Sequence, residues 1–134
     1  MDERDEQIIA RMRRLYEAFN RGDFDRVMEI AHPDIELVRP GGLASIKGAA
    51  AVRAWMEPDA FEQQETEPLE FSVNGDKVLV RARTRNRGAG SGIELELEGY
   101  QLMTLDEEDR VIRHEFFTPD QAAEARHAAG IADD

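Results

Sequence analysis

Cysteine is absent from the 134 residues, which excludes a disulfide framework and a thiol nucleophile alike. No apolar run approaches the roughly 20 residues needed to span a membrane. The opening MDERDEQ is charged and lacks the apolar core of a secretion signal, so a cytoplasmic protein is expected. Cations are scarce: 17 basic against 29 acidic side chains give a formal charge of −12. That balance favours solubility and opposes binding to nucleic acid. Histidine occurs three times, as His32, His114 and His127, far apart and without zinc-site spacing, so no metal is expected. Gly88–Gly92 is glycine-rich but precedes a strand pattern rather than a helix. It is expected to be a hairpin loop, with no phosphate cradle and no cofactor.

What is present reads as one domain over 1–134, with a core of about 5–130 between charged ends. A chain of this length can bury about two-thirds of its unfolded surface and needs no staple. Ile8, Met12, Leu15 and Phe19, flanked by Ile9 and Tyr16, have helical spacing and predict a helix over about 5–20. Asp23 can cap a second helix carrying Phe24, Val27, Met28 and Ala31, which His32-Pro33 ends. Ile35, Leu37 and Arg39 then share one face of a strand, and Pro40-Gly41-Gly42 reads as a loop. A third helix, over about 48–57, carries Val52, Trp55 and Met56 and is limited by Pro58.

The second half reads as hairpins. Leu69, Phe71 and Val73 alternate with polar residues ahead of the tight-turn pair Asn74-Gly75. A strand over 77–87 puts Val78, Val80, Ala82 and Thr84 on one face and Arg81, Arg83, Arg85 and Arg87 on the other. In the next strand Leu95, Leu97, Gly99, Gln101 and Met103 oppose Glu94, Glu96 and Glu98. The arginine and glutamate rows predict a cross-strand ion-pair ladder. After the turn Asp106–Asp109, a strand over 110–118 aligns Ile112, His114 and Phe116. Thr118-Pro119-Asp120-Gln121 then has the pattern of a capped helix start. Helices followed by an antiparallel meander predict an α+β fold with helices on one face of a bent sheet.

Four segments, Ala18–Asp25 (AFNRGDFD), His32–Glu36 (HPDIE), Lys47–Trp55 (KGAAAVRAW) and Asp109–Phe117 (DRVIRHEFF), resemble SnoaL-like proteins of the nuclear transport factor two-like superfamily. The resemblance covers roughly 8–130. It implies a cone-shaped, strongly curved sheet wrapped by three or four helices around an interior cavity. The superfamily includes ketosteroid isomerase, polyketide cyclases, epoxide hydrolases and many members of no known activity. The isomerase chemistry does not carry over. Its aspartate base, which precedes a proline on the first strand, falls on Arg39; its helix-one tyrosine falls on Leu15, with Tyr16 one place and about 100° further around the helix; its protonated aspartate on the penultimate strand falls on Gln101.

Arg39 is in phase with the apolar face of its strand. A buried guanidinium needs an ion-pair partner or an escape to the cavity mouth; alternatively it clamps a carboxylate, enolate or phenolate oxygen. His114 points by resemblance into the cavity. There it is either a satisfied wall histidine or a general acid–base group. Arg39, Gln101 and His114 together are expected to form a polar floor in an apolar pocket, with Tyr16, Phe19, Trp55, Phe71 and Phe116 as its wall. Glu36, Glu98 and Glu115 fall on the opposite faces of their strands. Two functions remain open. One is a binding protein for a small apolar, carbonyl or carboxylate ligand, acting as a cofactor-independent cyclase, isomerase or hydrolase through His114 and Arg39. The other is a non-catalytic module that binds a ligand or forms a homodimer through its sheet face.

Overall fold

In the computed structural model, which describes residues 2–39, 45–56, 61–88 and 90–131, the first helix, α1, runs from Glu3 to Asn20. Asp2 caps it by accepting the Asp5 amide at 2.8 Å, and acidic residues fill its first turn, where the helix dipole favours them. Ile8, Met12, Leu15, Tyr16 and Ala18 form its buried face. The helix ends where Gly22 adopts φ 75°, a backbone state open to glycine without steric cost. Asp23 then caps α2 (Phe24–Glu29) through the Arg26 amide. Strand β1 (Ala31–Val38) follows without a loop, so His32-Pro33 ends the helix and also opens the strand. Next come β2 (Ser45–Lys47), α3 (Ala49–Met56), β3 (Phe61–Asn74), β4 (Lys77–Gly88), β5 (Glu94–Leu105) and β6 (Val111–Phe117). A 3-10 turn (Pro119–Gln121) leads into α4 (Ala122–Ala128). The fold is α+β, as expected. The expected loop at Pro40-Gly41-Gly42 and the helix limit at Pro58 lie outside the described residues.

Six described strands form one open mixed sheet in the order β2-β1-β6-β5-β4-β3, with β1 and β6 parallel and every other pair antiparallel. The helices α1, α2 and α3 cover one face. There Met12, Val78, Val80 and Met103 are fully buried in the main core. On the opposite face α4 packs Ala125 and Ala129 against Leu79 and Leu102, making a second, smaller core. The 3-10 turn starts as predicted, with the Gln121 side chain accepting the Thr118 amide at 2.9 Å.

Strands β3 and β6 depart from simple alternation. Strand β3 begins at Phe61, not near Leu69, and a shift between Pro68 and Glu70 accommodates the proline. The Glu65, Glu67 side of this edge strand faces Arg85 and Arg83 of β4, so charge pairing replaces the apolar alternation that would mark a strand. In β6, Thr104 pairs Arg113 but Leu105 pairs Val111, leaving Ile112 as an extra, bulged residue. Val111, not Ile112, therefore occupies the buried position next to His114, at 1% exposure. The arginine and glutamate rows do face one another: Arg83, Arg85 and Arg87 pair in register with Glu98, Glu96 and Glu94. Two ion pairs step diagonally, Arg81–Glu98 at 2.7 Å and Arg83–Glu96 at 3.2 Å, while Arg85–Glu96 at 3.4 Å lies directly across the pair.

Candidate functional site

A cavity of about 670 Å³ lies between the sheet and helices α1–α3. Its wall is mostly apolar: Leu15 and Phe19 from α1, Val27 and Met28 from α2, Val52, Trp55 and Met56 from α3, and Ile35 and Leu37 from β1. Trp55 is 40% exposed and leans on Phe116, their ring centroids 5.9 Å apart, while Phe116 stacks on the His114 ring at 4.6 Å. These contacts join the mouth to the interior through a continuous aromatic wall.

A polar centre stands in this wall. Gln101, on β5, is buried, and its Oε1 lies 2.7 Å from the Tyr16 hydroxyl and 2.8 Å from His114 Nε2. The tyrosine reaches it from α1 and the histidine from β6, so three elements converge on one amide oxygen. Burial pushes the Tyr16 hydroxyl well above its usual pKa, because the phenolate would lose its hydration. Burial likewise pushes His114 down to about 4. His114 is partly buried and borders the cavity. At neutral pH both groups are uncharged.

The predicted polar floor is therefore partly re-drawn. Gln101 and His114 are together, but Tyr16, expected only as an apolar wall residue, takes the third place. Leu15 and Tyr16 both border the cavity, and it is the Tyr16 hydroxyl that reaches the Gln101 position. Arg39 borders the cavity too, yet it is exposed, one residue beyond the end of β1. It stands at the mouth, not on the floor, and has no ion-pair partner among the described residues. Phe19, Trp55 and Phe116 line the wall. Phe71 does not: it sits behind Tyr16, in an edge contact at 6.4 Å, with the Arg13 guanidinium over its ring at 4.8 Å.

Glu36 and Glu115 are absent from the lining. Glu98 contributes to it, although its carboxylate is held by Arg81. Sequence reading did not single out Thr84, Asn86 and Leu97, which also line the cavity. Their signal was available, since Thr84 and Asn86 continue the face of Val80 and Ala82, and Leu97 continues the face of Gly99 and Gln101. Phe117, Thr118 and Pro119 also line it and carried no such signal. Among the described residues no group of three or more His, Asp or Glu side chains could hold a metal ion, and no helix is long and apolar enough to cross a membrane.

The same architecture recurs in solved structures. TerC, co-crystallized with polyporic acid, is 22% identical, with 87% of this chain and 95% of that one covered at a TM-score of 0.72. SalBIII, an epoxide hydrolase/cyclase-like enzyme with a role in pyran ring formation in the polyether salinomycin, is 18% identical, with coverage of 84% and 91% and a TM-score of 0.77. An NTF2-like protein of unknown function from Burkholderia pseudomallei K96243 is 22% identical, with coverage of 90% and 95% and a TM-score of 0.73. At these identities the likeness is one of fold. None of the curated proteins matches the chain in sequence. The family model for the SnoaL-like domain matches residues 12–114, from the buried face of α1 to His114, and the chain belongs to that family.

Proposed function

We propose that this protein binds a small, largely apolar molecule bearing a carbonyl or carboxylate oxygen, and performs cofactor-independent acid–base chemistry on it of the cyclase, isomerase or hydrolase kind. The observation that carries this reading is the Tyr16–Gln101–His114 centre set in an apolar cavity of about 670 Å³, the make-up typical of small-molecule sites. Gln101 spends its oxygen on Tyr16 and His114, while its amide nitrogen has no partner among the described residues; that N–H group suits a ligand carbonyl. His114, uncharged at neutral pH, can accept a proton from the ligand. Arg39 at the mouth is placed to hold an anionic oxygen, and a guanidinium binds carboxylate or enolate well. TerC was co-crystallized with polyporic acid and SalBIII has a role in pyran ring formation, and both are compatible with this class of ligand. The test is a screen of aromatic and polyketide-like carbonyl compounds by calorimetry and turnover, repeated on His114→Ala and Arg39→Met. Unchanged binding and turnover in both variants would remove the reading.

A second reading, assembly into a homodimer, is favoured by one observation. Ile93, Leu95 and Leu97 are 62%, 50% and 64% exposed on the β4–β5 hairpin, an unusual run of large apolar side chains in solvent. The arginine and glutamate rows on the other face of the hairpin are occupied with one another. Light scattering after size exclusion at micromolar concentration distinguishes a dimer from a monomer, and Leu95→Asp with Leu97→Asp should dissociate a dimer built on this patch.

A further inference from the structure

Gln101 carries a second consequence, resting on the reading of the cavity as a ligand site. A buried phenol O–H must donate, and the acceptor 2.7 Å from the Tyr16 hydroxyl is Gln101 Oε1. An amide oxygen has two lone pairs. His114 Nε2 lies 2.8 Å from the same oxygen and can bond to it only as an N–H donor. The ring then carries its proton on Nε2, and Nδ1 holds the lone pair; among the described residues nothing donates to Nδ1. We propose that Gln101 is a positioning residue that fixes His114 as a neutral imidazole protonated on Nε2, so that Nδ1 is the basic atom the ring offers a ligand.

The surroundings agree. Leu37 of β1 and Met103 of β5 flank His114 in register, and Phe116 covers its ring. Besides His114, the ionisable groups lining the cavity are Tyr16, whose proton is engaged, Tyr100, which has no negative charge to offer as a phenol, Arg39, whose charge opposes an imidazolium, and Glu98, which is paired with Arg81. On the neighbouring strand positions Arg113 and Glu115 pair with one another on the outer face. Among the described residues no carboxylate is placed to stabilise a protonated His114. A glutamine at 101 therefore keeps the centre neutral, where a carboxylate at the same place would make a charged pair.

The experiment is nitrogen-detected NMR of the histidine side chains in the ligand-free protein, with His114 assigned from the spectrum of His114→Asn. Wild type is expected to show a protonated Nε2 and a bare Nδ1 at neutral pH, and to titrate near pH 4. Gln101→Glu should raise that midpoint by one to three units, while Tyr16→Phe should leave the tautomer and keep the midpoint low. A proton on Nδ1 in wild type, an ordinary histidine midpoint, or a Gln101→Glu midpoint that does not rise would each overturn the proposal. If Gln101→Glu does not fold, wild type and Tyr16→Phe still decide it through the tautomer. No ligand is used, so a failed ligand screen leaves this result standing, and a reversed tautomer leaves ligand binding standing.

Discussion

Tyr16 on the first helix and His114 on the last strand donate to the same atom, Gln101 Oε1, from 2.7 and 2.8 Å. The shared acceptor ties α1 to the two central strands, β5 and β6, at the cavity wall. Removing one donor should therefore be felt in stability without reshaping the pocket. Tyr16→Phe deletes the hydroxyl alone and leaves Gln101 Oε1 with one bond. A loss of about 1 kcal/mol is expected, the usual net worth of such a bond. Urea unfolding checks it: the midpoint should fall at an unchanged slope.

The depressed pKa of His114 makes a signed prediction about pH. In the unfolded chain the imidazole protonates near 6.5; in the fold it does so at about 4. Between those values the unfolded state binds the extra proton, so stability falls as pH drops from 6.5 to 4 and this contribution levels off below. Above 6.5 both states are neutral and the group has no effect. The expected loss is about 1–3 kcal/mol. Because carboxylates add their own acid dependence, the check is the difference between wild type and His114→Asn in melts across this range, where the variant should show the shallower decline.

Gly99 permits the approach of β5 to β6 beside the polar centre. A Cβ at this position would lie 2.6 Å from the Phe117 carbonyl oxygen, closer than atoms of these kinds tolerate, and the obstacle is backbone, which cannot rotate away. Gly99→Ala must push the two strands apart near Gln101 and His114. A destabilisation of about 1–3 kcal/mol is expected, in the range of other overpacking changes, with a shift of the His114 ring resonances. A variant as stable as wild type would show that the sheet gives way more readily than this contact suggests.

Much of this arrangement was legible from periodicity. The stripe Ile8, Met12, Leu15 found the buried face of α1, strand alternation put Gln101 in phase with Met103 and His114 in phase with Phe116, and the family resemblance turned His114 toward the cavity. Where the reading slipped, a local irregularity or an end effect was responsible. The bulge at Ile112 changes the phase of β6 before His114, so Val111 is the buried neighbour. Arg39 has the phase of Ile35 and Leu37, but phase says nothing about where a strand leaves the protein; β1 stops at Val38 and Arg39 stands at the mouth. Tyr16, expected as a wall residue only, lies one residue from the position of the isomerase tyrosine. A long side chain makes up that difference, and only coordinates reveal where its hydroxyl ends. The glutamate-rich start of β3 has no apolar alternation to read, since its order comes from the partner strand.

That edge strand depends on a side chain that imitates a backbone. The Asn20 amide nitrogen donates to the Thr66 carbonyl at 2.8 Å, and the Thr66 amide donates back to Asn20 Oδ1 at 2.8 Å. The pair reproduces the two bonds a neighbouring strand would make, at the end of α1 and on the outermost strand of the sheet. It fixes α1 against β3 and also occupies backbone groups that an exposed edge would offer to another chain. Thr66 itself is buried and lines the cavity, so the clasp holds part of the wall. Asn20→Ala removes both bonds at once. The expected cost is about 1–2 kcal/mol, with faster hydrogen exchange at the Thr66 amide and little change at Val80 or Met103 in the core. Asn20→Asp separates the two halves: its carboxylate can still accept from Thr66 but cannot donate, so Thr66 protection should persist in part while stability falls. Equal exchange at Thr66 in wild type and Asn20→Ala would mean that the edge is held by the β3–β4 pairing alone.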